Sequence, residues 1–256
     1  MRVRLLPSTI GGKSEHQALT TFLINERLAV DGGSLGLALA PERMAAIRDI
    51  VVTHAHSDHT ASLPIFIAEA FTNLDGPVTI YGTAEVVSAL REFVFNDQVW
   101  PDFEKIDLMT GGGPALRFKV IKACVPIEIA GLRIIPVPVN HVVPTIGLVI
   151  EDEQSAVALT SDTYSTDEIW SVAGATERLK AVFVDVSYPN EFEPLAAASR
   201  HFTPQTLALD LKKLGRQAEI YAVHIKPSNR EQVVRELAGL SSPEVRVAEI
   251  NRVYEW

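Results

Sequence analysis

Short apolar runs that stop at a polar residue recur along the chain and predict buried β-strands. Six of them cover residues 28–30, 50–52, 137–139, 157–159, 182–184 and 220–223. An Asp or His follows each run within three residues, and these are Asp31, His54, His141, Asp162, Asp185 and His224. Because ligand-binding groups gather at the carboxyl ends of strands in α/β sheets, this pattern predicts a functional site along one edge of the sheets.

Helical patterns fill the intervals between the runs. Apolar-rich segments predict helices over 62–71 and 85–95, and another helix is predicted to begin near Ser228. The helix with the clearest start and stop signals has Thr203 as N-cap, Pro204 at its first position and Gly215 at its end. Strands alternating with helices along the whole chain indicate the α/β class.

Composition supports a single domain over residues 1–256. Of the 256 residues, 47% are hydrophobic and 21% are charged, which excludes a disordered or collagen-like chain. No apolar run approaches the roughly 18 residues that span a bilayer, and the first residues lack the apolar stretch of a secretory signal. We therefore expect a soluble, cytoplasmic protein with no membrane partner.

The charge balance and the cysteine count limit the classes of partner and metal site that the chain can have. The formal net charge is −9, so there is no global attraction to polyphosphate and a nucleic-acid-coating role is disfavoured. Cys124 is the one cysteine, which rules out an internal disulfide and any multi-cysteine zinc site. A metal, if bound, must be held by histidines and carboxylates.

Three of the seven histidines fall in one hexapeptide directly after the second apolar run. The sequence there is His54-Ala55-His56-Ser57-Asp58-His59. Imidazole and carboxylate suit Zn(II), Mn(II) or Fe(II), and alternation along the loop lets two pairs face two different ions. His54 and His56 would face one ion, and Asp58 and His59 the other.

Two adjacent ions need a bridging ligand and further nitrogen donors. Asp162, at the end of its apolar run, is the natural bridging carboxylate. His141 and His224 would each add one nitrogen, one to each ion. Two such ions lower the pKa of a water between them, and the resulting hydroxide would be the nucleophile of a hydrolase.

With these residues the chain resembles the metallo-β-lactamase superfamily. The motif H-x-H-x-D-H, a later His, a bridging Asp and a final His occur in the superfamily's order. They match His54, His56, Asp58, His59, His141, Asp162 and His224. The resemblance implies an αβ/βα sandwich, in which two mixed β-sheets face each other with helices outside and the metals lie at one edge.

Later segments are most similar to the class II 3',5'-cyclic-nucleotide phosphodiesterases. These segments are 19–35, 185–190, His201-Phe202-Thr203-Pro204 and 223–227. A His at the place of His201 also occurs in the tRNA 3'-processing endonucleases of the superfamily. His201 would hydrogen-bond the phosphoryl group or protonate the departing 3'-oxygen, a role open to imidazole near neutral pH.

Three further polar residues have candidate supporting roles. Asp31 and Asp185 would each orient a ligating imidazole. Lys226 either pairs with substrate phosphate or is simply solvated. The chain departs from the usual superfamily pattern at Ser57, Ser62 and Ser161, where Leu, Gly and Gly are usual, and none of these is a predicted ligand.

The predicted function is dinuclear metal-dependent hydrolysis of cyclic AMP or cyclic GMP to 5'-nucleoside monophosphates. The alternatives are a tRNA 3'-processing endonuclease, another hydrolase of this fold acting on a thiolester, lactone or sulfate ester, and a non-catalytic metal-binding scaffold. An aromatic cluster of Phe93, Phe95, Trp100 and Phe103 would form a hydrophobic flap or homodimer contact, or else cover a base.

Overall fold

The strands of the computed structural model, which describes residues 1–9, 16–240 and 242–256, form two sheets. The first six strands are β1 Arg2–Leu5, β2 Phe22–Ile24, β3 Leu28–Val30, β4 Asp49–Val51, β5 Val78–Gly82 and β6 Leu116–Val120. The next seven are β7 Ile127–Ile129, β8 Leu132–Pro138, β9 Ile146–Glu151, β10 Ala156–Leu159, β11 Leu179–Asp185, β12 Glu219–Val223 and β13 Val245–Val247. The last, β14 Val253–Glu255, returns to the first sheet. All six apolar runs ending at Asp or His overlap strands, as predicted.

Short helices connect the strands and cover the outer faces of the sheets. They are α1 Leu35–Ala38, α2 Pro41–Met44, α3 Ser57–Thr60, α4 Leu63–Ala70, α5 Ala84–Phe93, α6 Glu168–Ala175, α7 Glu193–Ser199, α8 Pro204–Asp210 and α9 Arg230–Ala238. Thr203 caps α8 as predicted, its hydroxyl accepting from the backbone N–H of Thr206. A 3₁₀ turn extends α8 to Gly215, whose φ of +66° is readily adopted by glycine. No helix in the described ranges is long and apolar enough to cross a membrane.

Both sheets are mixed. The first has the order β14-β1-β2-β3-β4-β5-β6 and the second β13-β12-β11-β10-β9-β8-β7 among the described residues. Strands β3 to β6 are parallel, as are β10 to β13. Strand β8 points the same way as β10, because both pair antiparallel with β9. The loops that follow β3 and β4 therefore lie at one edge of the first sheet, and those that follow β8, β10, β11 and β12 lie at one edge of the second.

Three layers of apolar packing hold the sandwich together. Side chains such as Val51, Leu148 and Phe183 pack between the two sheets. Phe66 of α4 belongs to the outer core of the first sheet, and Trp170 of α6 to that of the second. Burial on both faces explains why the central strands are continuous apolar runs rather than alternating ones. The observed architecture is the αβ/βα sandwich implied by the superfamily resemblance.

Candidate metal centre

The first group of candidate ligands combines two halves of the sandwich. His54 and His56 follow β4, whereas His141 follows β8 and Asp162 follows β10. His56 Nδ1 lies 3.1 Å from His54 Nε2 and 3.3 Å from His141 Nε2. Asp162 Oδ2 lies 3.7 Å from His54 Nε2 and 3.9 Å from His141 Nε2. The four side chains present their donor atoms to one small volume, within 4.8 Å of one another.

The second group shares Asp162 with the first. His59 Nε2 lies 3.3 Å from Asp162 Oδ1, and His224 Nε2 lies 3.5 Å from Asp162 Oδ2. Asp58 Oδ2 completes the group, 3.0 Å from His224 Nε2. The structure thus brings all seven predicted ligands together in two groups, with Asp162 between them.

The donor set fits divalent cations. His59 Nε2 is buried, points at Asp162 and has no hydrogen-bond partner among the described residues, although buried polar atoms are normally paired. Imidazole nitrogens surrounding a shared carboxylate suit Zn(II), Mn(II) or Fe(II). When bound, a cation would satisfy the buried nitrogen lone pairs that otherwise face one another.

The electrostatics of the two groups differ. Burial lowers the pKa of His54 well below its usual range and that of His141 to about 4, so both imidazoles are neutral. Burial opposes protonation of His224 as well, but Asp162, Asp185 and Asp58 outweigh it and raise its pKa to about 9. The second group therefore favours positive charge, as a cation site requires.

Two buried carboxylates contact the Nδ1 atoms of imidazoles in the site. Asp31 Oδ2 lies 2.7 Å from His59 Nδ1, and Asp31 also accepts the backbone N–H of Thr53 at 2.8 Å. Asp185 Oδ2 lies 2.6 Å from His201 Nδ1, while its Oδ1 lies 3.7 Å from His224 Nδ1. Asp31 thus contacts a predicted ligand, whereas the direct partner of Asp185 is His201.

His201 lies between two candidate ligands rather than in either group. Its ring centroid is 5.1 Å from that of His141 and 5.4 Å from that of His224, with which it is stacked. Because Nδ1 faces Asp185, Nε2 is the nitrogen that remains for a substrate. Lys226 Nζ lies 3.8 Å from Asp58 Oδ2, and its side chain is 34% exposed.

Several residues of the site adopt the left-handed backbone region. Asp31, Ser161 and His224 have φ values of +62°, +56° and +59°. Non-glycine residues in this region cost about 1–2 kcal/mol each, so the surrounding contacts must hold them. Ser161 donates to Thr53 Oγ1 at 2.8 Å, which ties the loop carrying Asp162 to the strand end carrying His54. The left-handed conformation explains why Gly is usual at the position of Ser161.

Sequence reasoning missed two residues that support the site. The Oγ of Ser187 lies 3.0 Å from His224 Nδ1 and 2.8 Å from Asp185 Oδ1. Arg200 contacts His141 twice, since its Nη1 donates to the His141 carbonyl at 2.6 Å and its own carbonyl lies 3.3 Å from His141 Nδ1. The place of Ser187, two residues after Asp185 at a strand end, was a usable signal. The sequence carries none for Arg200, whose contacts depend on the end of α7.

The aromatic cluster does not lie beside the histidines. Phe95 and Phe103 are buried in the outer core of the first sheet, with Trp100 packed against them. Phe93, at the end of α5, is exposed. Helix α5 begins after the carboxyl end of β5 and runs away from the edge that carries the histidines. The packing of these aromatic residues therefore does not support the alternative that they cover a substrate base.

A sandwich of two mixed sheets with a histidine and carboxylate cluster at one edge defines the metallo-β-lactamase hydrolase fold. A beta-lactamase superfamily domain matches residues 32–225, and the chain belongs to this superfamily. The chain is 28% identical, over 282 aligned positions, to a probable 3',5'-cyclic-nucleotide phosphodiesterase of Yersinia pestis, covering 89% of this chain and 79% of the relative. A ribonuclease Z of Mycobacterium bovis is 31% identical over 144 residues, 53% of this chain and 51% of that enzyme. The fold is shared with unliganded yeast PDE1 at a TM-score of 0.80 and 18% identity, over 98% of both chains.

Proposed function

We propose that the protein is a dinuclear metal-dependent phosphodiesterase that hydrolyses 3',5'-cyclic nucleotides to 5'-nucleoside monophosphates. The observation that carries the proposal is the pair of ligand groups sharing Asp162, with His201 next to both. The long alignment with the Yersinia pestis relative supports the cyclic-nucleotide substrate.

The two groups would hold one divalent ion each. His54, His56 and His141 serve the first, Asp58, His59 and His224 the second, and Asp162 both. Bound there, the ions would supply an activated water and neutralise charge on the phosphoryl oxygens. Asp58 would thus be both a ligand and a determinant of turnover.

The leaving oxygen requires a separate proton donor. A 3'-alkoxide is a poor leaving group, so protonation in the transition state accelerates its departure. His201 would take this role through Nε2, and the contact of its Nδ1 with Asp185 supports the assignment. Lys226 would neutralise phosphate charge from the Asp58 side of the site.

A substrate panel tests the proposal directly. The zinc- or manganese-loaded protein should convert cyclic AMP or cyclic GMP to the 5'-monophosphate and also cleave bis(p-nitrophenyl) phosphate. An aryl sulfate and a lactone should be hydrolysed much more slowly. Turnover of either of these in preference to every phosphodiester would reject the proposal.

The second candidate is a tRNA 3'-processing endonuclease, which the ribonuclease Z similarity over about half of the chain favours. Against it stands the net charge of −9, since gripping tRNA phosphates requires a basic surface. A 3'-extended tRNA precursor assayed beside cyclic AMP separates the two. Faster cleavage of the precursor would replace the first proposal with this one.

A further inference from the structure

A buried hydroxyl joins the imidazole of a candidate ligand to the imidazole of the candidate acid. Ser187 Oγ lies 3.0 Å from His224 Nδ1 and 2.8 Å from Asp185 Oδ1. The other oxygen of Asp185 lies 2.6 Å from His201 Nδ1. Ser187 and Asp185 are 0% and 1% exposed, so bulk water does not compete for these contacts. The result is a continuous chain of hydrogen bonds from His224 through Ser187 and Asp185 to His201.

Counting protons fixes the direction of each bond. A carboxylate only accepts, so Asp185 takes the Nδ1 proton of His201 at one oxygen and the Ser187 proton at the other. The carbonyl oxygen of His224 also lies 3.0 Å from Ser187 Oγ, but the charged carboxylate is the stronger acceptor. Having donated its proton, Ser187 accepts from His224 Nδ1. Both imidazoles thereby carry a proton on Nδ1, and Nε2 of His224, which faces Asp58 and Asp162, is the nitrogen that would exchange its proton for a cation.

We infer that Ser187 is a positioning residue that couples retention of the second ion to the alignment of His201. Its hydroxyl selects the tautomer of His224 that ligates through Nε2, and it anchors the carboxylate that orients His201. The part concerning His201 rests on the proposed function. The part concerning His224 rests only on the geometry of the second ligand group.

Metal titration of Ser187→Ala tests the first part. The matched control is Ser34→Ala, because Ser34 is also fully buried and its hydroxyl has no hydrogen-bond partner among the described residues. Calorimetric titration of the metal-free proteins with zinc should show the second ion bound about 10- to 100-fold less tightly in Ser187→Ala, with the first ion unchanged. Ser34→Ala should match the unmodified protein. Unchanged affinity for both ions in Ser187→Ala, or equal weakening of both, would overturn the inference.

Nitrogen NMR of the unmodified, zinc-loaded protein tests the same point without a variant. The shifts should show His224 with a protonated Nδ1 and a metal-bound Nε2. An Nδ1 without a proton would overturn the inference even if Ser187→Ala failed to fold.

Kinetics test the coupling to His201. With saturating zinc, Ser187→Ala should lose about tenfold more kcat on cyclic AMP than on bis(p-nitrophenyl) phosphate, whose leaving group needs little protonation. Equal losses on the two substrates would overturn the coupling. If the unmodified protein hydrolysed no phosphodiester, the proposed function would fail, and the titration and NMR results would still decide the role of Ser187 at His224.

Discussion

At the scale of single residues, the proposed role of His201 is what distinguishes phosphodiester chemistry from general metal hydrolysis. It is buried between His141 and His224 and is held by Asp185, so it lies outside the two groups that share Asp162 and clusters instead with Asp185 and His224. Its contribution should therefore depend on the substrate's leaving group and not on metal content.

We expect His201→Ala to lower kcat on cyclic AMP by about 100- to 10,000-fold, the usual contribution of a positioned general acid. The loss on bis(p-nitrophenyl) phosphate should be much smaller, because p-nitrophenolate departs without protonation. Steady-state kinetics with elemental analysis of the same samples measure both effects. An equal loss on the two substrates at full metal occupancy would leave His201 as a phosphate-positioning residue, and loss of metal would make it a ligand.

At the scale of elements, a close approach between two loops sets the position of Asp58. A Cβ on Gly33 would lie 1.9 Å from the carbonyl oxygen of Asp58, which also accepts the backbone N–H of Thr20 at 2.8 Å. The loop after β3 can therefore pack against the loop carrying the candidate metal ligands only if residue 33 has no side chain.

Gly33→Ala should displace Asp58 and weaken binding of the second ion by at least about tenfold. It should also lower the free energy of unfolding by roughly 1–3 kcal/mol, because the added methyl group overpacks the contact between the loops. Gly76→Ala is the control, because a Cβ there has nothing within 4 Å. Zinc titration and thermal unfolding of both variants check the expectation. Identical behaviour of the two would show that the loops separate freely.

A second element-scale contact fastens α8 to the loop after Asp162. Asp210, at the end of α8, accepts from Trp170 Nε1 and Ser165 Oγ at 2.6 Å each and pairs with Lys213 at 2.6 Å. Asp210 is only 4% exposed and Trp170 is fully buried, so the indole N–H of Trp170 has no alternative acceptor in water. Since α8 begins just after His201, this contact also bears on the candidate acid.

Asp210→Ala should lower the free energy of unfolding by about 1–3 kcal/mol, since it leaves the buried indole N–H of Trp170 without an acceptor, whereas Lys213 keeps its pairing with Asp167. Asp167→Ala is matched to it, because Asp167 pairs with the same lysine but its side chain is 83% exposed. Asp167→Ala should lower the free energy of unfolding by less than about 1 kcal/mol. Urea unfolding of both variants in chelator measures the difference, and similar midpoints would contradict the buried-network argument.

At the scale of the whole molecule, the candidate metal centre draws its residues from both sheets. The ligands after β4 belong to the first sheet, whereas His141, Asp162 and His224 follow strands of the second. Ions bound there would cross-link the halves of the sandwich and stabilise the folded state by mass action.

We expect about two divalent ions per chain and a higher Tm in the loaded protein than after chelation. Asp58→Ala, which removes a ligand from the second group alone, should retain about one ion, keep the fold and lose hydrolysis. Elemental analysis and calorimetry test this. Full activity in a metal-occupied Asp58→Ala protein would overturn the assignment of the second ion.

The sequence alone determined the strand ends and the chemistry they carry. Apolar runs flanked by His and Asp specify buried strands whatever the fold, and the hexapeptide from His54 to His59 is local enough to be recognised directly. The α/β class and the division of ligands into two groups followed from that pattern. The sandwich itself came from the resemblance to the superfamily, because periodicity does not say which sheet a strand joins.

Tertiary structure alone decided the contacts that link distant segments. Ser187 meets His224 across 37 positions, and Arg200 meets His141 across 59, through loops whose paths no local pattern encodes. The aromatic residues near Phe103 were equally ambiguous, because apolar residues pack inside or outside a site according to where a helix points. Local hydrogen bonding and hydrophobic periodicity depend on residues that are close in sequence. Which distant side chains come into contact depends on how the two sheets pack.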